Sequence, residues 1–268
     1  MPFLKIDNDV KLFYTVSGQG LPLIFVHGWT SNHWMWMEQE KYFSKKYQVI
    51  IPDLKGHGDS DKPKANYLIA EFAAELNQFI NNLLGSKKYI LIGHSMGGMV
   101  ILSYAINSKY TANLKALVPC STTYKMSNPV LSQLVDKLKQ GILKYDYSLG
   151  EIMSKLAYSR KFAREHKDIV KRNTDEGIKC PAHVAIASMD SFVNKFNIEK
   201  NLPSIKVPTL IMTGDKDAMI DPISSETMQI LIPKITMKVL GPNAGHCIQL
   251  EKVDEFNQTL EDFIKSIN

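Results

Sequence analysis

The sequence predicts an α/β fold: a mostly parallel, eight-stranded sheet flanked by helices, with a helical cap inserted before the strand at Thr209 to Met212. Three observations predict it. Short, almost wholly apolar runs bounded by turn residues recur along the chain, the pattern of strands buried on both faces. Amphipathic stretches with helical spacing alternate with them, the rhythm of a sheet covered by helices. The alternation lapses once, over a stretch too long for a simple crossover.

Phe3 to Asp7 and Val10 to Val16, separated by Asn8-Asp9, read as an opening hairpin. After the Ser17-Gly18-Gln19-Gly20 turn, Pro22 to Val26 is the first fully apolar strand, followed by Tyr47 to Ile51, Tyr89 to Ile92, Leu114 to Val118, Thr209 to Met212 and Thr236 to Leu240. Tyr67 to Leu84 carries Leu68, Phe72, Leu76, Phe79, Ile80 and Leu83 near helical spacing, and Gly85 is its stop signal. Met96 to Ile106 and Val253 to Ile267 also read as helices. The break in rhythm divides the chain into a core, residues 1–122 and 207–268, and a cap, residues 123–206, with helical patterns at Pro129 to Leu143, Leu149 to Ala157 and His183 to Phe192. A cap there would lie over the C-terminal sheet edge, where open α/β folds bind ligands.

At 268 residues the chain can bury one large core, and 44% apolar with 22% charged residues is ordinary for a globular protein. The formal charge of +5 is spread over pairs such as Lys45-Lys46 and Lys87-Lys88. It forms no basic stripe with interleaved aromatics, so no nucleic-acid partner is expected. Cys120, Cys180 and Cys247 are odd in number and widely spaced, against both a disulfide framework and a zinc site. The N-terminus lacks a signal-peptide pattern and no apolar run is long enough for a membrane span. A cytoplasmic protein with no membrane association is therefore expected.

The chemistry centres on Gly93-His94-Ser95-Met96-Gly97, a G-x-S-x-G sequence between a predicted strand and a predicted helix. A serine on so sharp a turn needs small neighbours two residues away on each side, which Gly93 and Gly97 supply. It also sits at a helix N-terminus, where free N–H groups favour developing negative charge. The motif is short enough to occur by chance in a glycine-rich turn, so its partners decide. Serine needs a general base. His246, in a loop of small residues after the last strand, can present its ring at the same sheet edge. His94 should point away from the serine, His27 and His57 belong to structural loops, and His33, His166 and His183 read as surface or cap-packing residues. For the acid that orients the histidine, the loop after Thr209 to Met212 offers both Asp215, nearer the strand end, and Asp217. Asp221, just before Pro222, reads as a helix cap. The backbone N–H groups of Trp29, in His27-Gly28-Trp29 after a central strand, and of Met96 are the expected oxyanion donors.

With these motifs assembled, the chain resembles the α/β-hydrolase superfamily, in particular its bacterial and archaeal esterases, enol-lactonases and cofactor-free haloperoxidase-like members. His27-Gly28-Trp29 resembles the family's oxyanion motif, and Asp53-Leu54-Lys55-Gly56-His57-Gly58-Asp59-Ser60 its D-x-x-G-x-G-x-S loop, with Lys55 where arginine is common. Gly93 to Gly98 match the nucleophile elbow and Gly245-His246 the histidine loop. The family's G-x-x-D pattern, at Gly214 to Asp217, selects Asp217 over Asp215. The resemblance implies an eight-stranded α/β-hydrolase fold, nucleophile Ser95, base His246 and acid Asp217, and neither metal nor organic cofactor. Ser95 at the elbow argues against the haloalkane dehalogenases and epoxide hydrolases of the same superfamily, whose nucleophile is aspartate.

The expected reaction is hydrolysis of a small-molecule carboxylic ester or lactone through an acyl-enzyme. Two alternatives run on the same residues: C–C bond hydrolysis and perhydrolysis by a haloperoxidase-like enzyme. A third, of another class, is a hydrolase-like receptor or regulator that captures a ligand, since fold alone does not settle function.

Overall fold

The structure, a computed structural model, describes residues 2–6, 9–126 and 128–267. Strands β1 (Phe3–Lys5) and β2 (Lys11–Ser17) pair antiparallel with Leu4 opposite Leu12. Of the turn expected between them, Asp7 and Asn8 lie outside the described residues. Then follow β3 (Pro22–Val26), a 3₁₀ turn at His33–Trp36 running into α1 (Met37–Phe43), β4 (Gln48–Pro52), α2 (Ile69–Leu84), β5 (Tyr89–His94), α3 (Met96–Ala105) and β6 (Leu114–Cys120). Five helices come next: α4 (Pro129–Lys139), α5 (Tyr147–Leu156), α6 (Arg160–Glu165), α7 (Lys167–Ile178) and α8 (Ala182–Asp190). The chain closes with β7 (Thr209–Gly214), α9 (Pro222–Leu231), β8 (Ile235–Leu240), α10 (Ile248–Glu251) and α11 (Val253–Ser266).

The eight strands form one sheet in the order β1-β2-β4-β3-β5-β6-β7-β8. Only the β1/β2 and β2/β4 pairings are antiparallel. Alternation along the strands divides the core in two. Ile24, Val26, Ile50 and Leu91 face α2 and α3 on one side, whereas Leu23, Phe25, Val49 and Ile90 pack with Phe43 of α1 and Phe256 and Leu260 of α11 on the other. Both faces are covered, which is why the central strands read as unbroken apolar runs.

The chain leaves β3 toward β4 on one side of it and returns in β5 on the other, so the loops after β3 and β5 diverge at the sheet's C-terminal edge. That switch point is the crevice where open α/β sheets bind ligands. Helices α4 to α8 lie between β6 and β7 in sequence. Asn128 caps α4, which opens on Pro129, and Val135 and Leu138 of α4 are buried with Val184 and Met189 of α8 in one cluster. Helix α7 escaped the sequence reading for a physical reason: Thr174 alone among its residues is buried, so it carries no apolar stripe to recognise. Asp221 does cap a helix, accepting from the Ile223 N–H ahead of α9. No helix among the described residues is long and apolar enough to cross a membrane.

The start of α3 lies hard against β3. A β-carbon on Gly97 would collide with the carbonyl oxygens of Val26 and His27, and one on Gly93 with the carbonyl oxygen of Gly97. Gly97→Ala should therefore destabilise the fold by about 1–3 kcal/mol, the cost of overpacking a site that cannot yield. Denaturant melting will read it, and an unchanged midpoint would show that α3 can move away from β3.

Candidate active site

Ser95 occupies the single residue between β5 and α3, with φ 53° and ψ −118°. That left-handed backbone costs energy for a residue with a β-carbon and is held by its surroundings. The Ser95 N–H donates to the Cys120 carbonyl at the end of β6 at 2.9 Å. Its own carbonyl accepts from the Thr122 hydroxyl at 2.7 Å. The serine is thus pinned from the neighbouring strand, half-buried, with its side chain on the wall of the crevice.

His246 comes to the same wall from the loop after β8. Its Nδ1 lies 2.9 Å from Asp217 Oδ2, and both side chains are almost wholly buried. The other Asp217 oxygen accepts from the N–H groups of Met219 and Ile220 at 2.9 and 3.0 Å. Burial alone would raise this carboxyl's pKa. The nearby His246, its ring hydrogen bond and the Ile220 and Met219 N–H groups outweigh burial and hold the pKa below the ordinary carboxylate value. A carboxylate that stays ionised against an imidazole Nδ1–H leaves Nε2 as the free acceptor. Ser95 and His246 line the same two cavities.

Asp215, the other candidate from the sequence, points elsewhere. It accepts from the N–H groups of Asn243 and Ala244 at 3.1 and 2.7 Å and so clamps the loop that carries His246. His94 Nε2 lies 3.0 Å from the His246 carbonyl, and the two rings pack 4.8 Å apart. Burial, then the charge of His246, pushes the His94 pKa down to about 3, so it supports the loop as a neutral ring. His27 Nε2 accepts from the Leu54 N–H at 3.0 Å, joining the loops after β3 and β4.

Among the described residues, no hydrogen bond uses the backbone N–H of Trp29 or of Met96. Both line the apolar cavity beside Ser95. The Trp29 indole has a task the sequence did not suggest: its N–H reaches the Ala185 carbonyl and the Ser188 hydroxyl on α8, tying α8 to the loop after β3. The histidine loop is tied to the cap as well. The N–H groups of His246 and Cys247 both donate to the Ala157 carbonyl, and Glu251 accepts from Gly245 N–H with one oxygen and Ser159 N–H with the other. Glu251 carried no signal in the sequence, where it looks like any charged residue before a helix. Six methionines on the cavity wall, Met96, Met99, Met126, Met153, Met189 and Met219, come from several separate elements and share no periodicity.

With this geometry in view, the chain can be set beside known proteins. A protein family described as the alpha/beta hydrolase fold matches residues 22–155 and, again, residues 127–253. A non-heme chloroperoxidase, CPO-A1 of Kitasatospora aureofaciens, is 27% identical over an alignment covering 98% of this chain and 99% of that protein. A thermophilic esterase from Thermogutta terrifontis has a likeness of fold, with a TM-score of 0.90 at 24% identity, covering 100% of this chain and 99% of the other. Est816, described as an N-acyl homoserine lactone degrading enzyme, has a TM-score of 0.86 at 26% identity, covering 98% and 100% respectively.

One further cluster of ligand-type side chains lies outside the crevice: His33, Asp53 and Asp59 bring their donor atoms within 4.8 Å of one another. The buried Asp53 carboxylate already accepts from the N–H groups of His33 and Asp59 and lies 3.0 Å from the His33 ring. It serves as an ion-paired clamp on the loops after β3 and β4. Burial opposes the charge on both partners, yet the pairing prevails: the His33 pKa is raised above 6.5 and that of Asp53 lowered below 3.8. The His33 contribution is fully present below its unfolded pKa and is lost as pH rises through the raised folded value. The Asp53 contribution is present above its unfolded pKa and is lost as pH falls through the depressed one. The stability advantage of wild type over His33→Gln should therefore be largest between about pH 4 and 6.5 and shrink toward pH 8. A melting-temperature gap that widens toward pH 8 would contradict the pairing.

Proposed function

The chain belongs to the alpha/beta hydrolase fold family, and on that premise we propose that it is a serine hydrolase cleaving a carboxylic ester or lactone through an acyl-enzyme. The carrying observation is the buried Asp217–His246 pair, 2.9 Å apart, whose histidine shares a cavity wall with a strained serine at a helix N-terminus. Ser95 Oγ attacks the carbonyl carbon while His246 Nε2 takes its proton. Asp217 keeps the other ring nitrogen protonated and stabilises the imidazolium that forms. The N–H groups of Trp29 and Met96 receive the oxyanion. As the tetrahedral species collapses, the C–O bond breaks and His246 returns the proton to the departing alkoxide. Water, deprotonated by the same histidine, then attacks the acyl-enzyme, and the acid leaves as Ser95 regains its proton. No step asks for a metal or organic cofactor.

A second reading on the same residues has hydrogen peroxide replace water at the acyl-enzyme and release a peracid. The full-length similarity to a protein named as a non-heme chloroperoxidase favours keeping it in view. The two are separated by following the purified enzyme with an ester in the presence and absence of peroxide and measuring the acid-to-peracid ratio.

Ser95→Ala and His246→Ala should each lower kcat on p-nitrophenyl acetate by several orders of magnitude. The double variant should be little worse than either, because the two act as a unit. Near-wild-type turnover in either single variant would remove the assignment, and absence of turnover by the wild type itself would favour ligand capture. Asp217→Asn should cost far more activity than Asp215→Asn, whose effect should fall on thermal stability through the loosened Asn243 and Ala244 contacts. The reverse ordering of the two kcat losses would make Asp215 the orienting acid.

A further inference from the structure

Two cavities meet at Ser95 and His246, and they are unequal. The larger, about 220 Å³, is walled by the six methionines together with apolar side chains such as Leu131, Leu156 and Phe192. The smaller, about 80 Å³, runs beneath Thr30, Tyr145 and Thr174 toward α7. They share Trp29, Ser95, Met153, Met219 and His246, so the two limbs adjoin at the proposed reacting position. Neither cavity is lined by a lysine, arginine, aspartate or glutamate among the described residues.

We infer that the substrate is an uncharged ester with one sizeable apolar arm and one very small arm on the two sides of the scissile bond. This rests on the acyl-transfer reading and adds the substrate class. Size argues first. An apolar cavity of roughly 150 Å³ holds a benzene-sized group. At about 220 Å³ the larger limb takes a group somewhat bigger than that, a chain on the order of six carbons or a compact ring. The limb of about 80 Å³ takes only a methyl- or ethyl-sized group. Charge argues second. A carboxylate or ammonium on either arm would lose its water with no counter-ion to meet it, a cost of several kcal/mol. Surface character argues third. Methionine is flexible and polarisable and fills irregular space, so the large limb accommodates apolar arms of varied shape and discriminates by size and polarity.

The test is a matrix of alkyl esters followed by proton release: ethyl acetate, ethyl hexanoate, hexyl acetate, hexyl hexanoate and the anion of monoethyl adipate. One of the two esters with a single six-carbon arm should exceed ethyl acetate and hexyl hexanoate at least tenfold in kcat/KM. Monoethyl adipate should fall at least tenfold below ethyl hexanoate if the acyl arm is the long one; if it is the alkyl arm, both remain poor beside hexyl acetate. Leu131→Trp, on α4 at the wall of the large limb, should reduce the ratio of the preferred six-carbon ester to ethyl acetate at least tenfold. Leu156→Trp, at a more exposed point on the same wall, does so if the first variant fails to fold. Hydrolysis of all five esters at similar rates, or best of all of hexyl hexanoate or the adipate anion, overturns this inference and leaves the serine-hydrolase reading standing. No hydrolysis of any of them overturns this inference, and no turnover of p-nitrophenyl acetate or of γ-butyrolactone in addition overturns the serine-hydrolase reading as well.

Discussion

Helix α3 can begin where it does only because no β-carbon stands between its first turn and the end of β3. Gly97 lies on the carbonyls of Val26 and His27, and Gly93 beneath the carbonyl of Gly97. The space so removed is what forces Ser95 into φ 53°, since the chain must reverse from strand to helix within one residue. That reversal aims the serine out of the sheet edge and leaves the Met96 N–H at a helix start without an intrahelical partner. The same contact brings the loop after β3 alongside, so the Trp29 N–H arrives from the other side of the switch point. Thr122 completes the brace, its hydroxyl on the Ser95 carbonyl and its side chain where a β-carbon on Gly98 would be. The proposed nucleophile and oxyanion donors are thus positioned by one close approach of backbone to backbone, and larger side chains could not substitute for it.

The histidine has a different kind of support. Its loop has few apolar side chains to bury, and hydrogen bonds hold it from three directions. Asp215 clamps Asn243 and Ala244 from β7, Glu251 takes Gly245 from α10, and the Ala157 carbonyl receives the N–H groups of His246 and Cys247 from the end of α5. The last two anchors also involve the cap, because Glu251 simultaneously accepts from Ser159. The Trp29 indole makes the matching tie from the oxyanion loop to α8. The segment between β6 and β7 is therefore stitched to both halves of the proposed site, so changes in its packing reach His246 and Trp29 by direct contact.

The residues most legible in the sequence were those whose job is dictated by local backbone. Gly93, Ser95 and Gly97 announce a strand–turn–helix reversal, and the five central apolar runs announce strands buried on two faces. Asp215 and Asp217 were not separable by spacing: both follow β7 within a few residues, and which carboxylate turns inward depends on the β8 loop against which it folds. The resemblance to a G-x-x-D pattern selected Asp217, and the 2.9 Å approach to His246 gives the geometric reason. Other features had no local signature. Helix α7 buries too little to show a stripe, Glu251 acts through partners six and ninety-two positions away, and the methionine wall exists only after α3, α5 and α8 and the loops around them have converged.

The electrostatics of the crevice follow from how few charges are allowed near it. His94, packed on His246, stays neutral through burial, its pKa pushed to about 3, and so adds no positive charge beside it. The buried Asp217 carboxylate contacts the His246 ring, and it keeps its charge because two backbone N–H groups and the imidazole occupy its oxygens. Buried behind His246 with no exposed surface, that charge is poorly screened. Its attraction is small for a neutral imidazole and large for an imidazolium, so in the proposed mechanism it acts chiefly as the ring takes a proton from Ser95, which is the moment stabilisation is needed. The same absence of competing charge that favours an uncharged substrate thus strengthens the only ionic interaction on which the proposed chemistry relies.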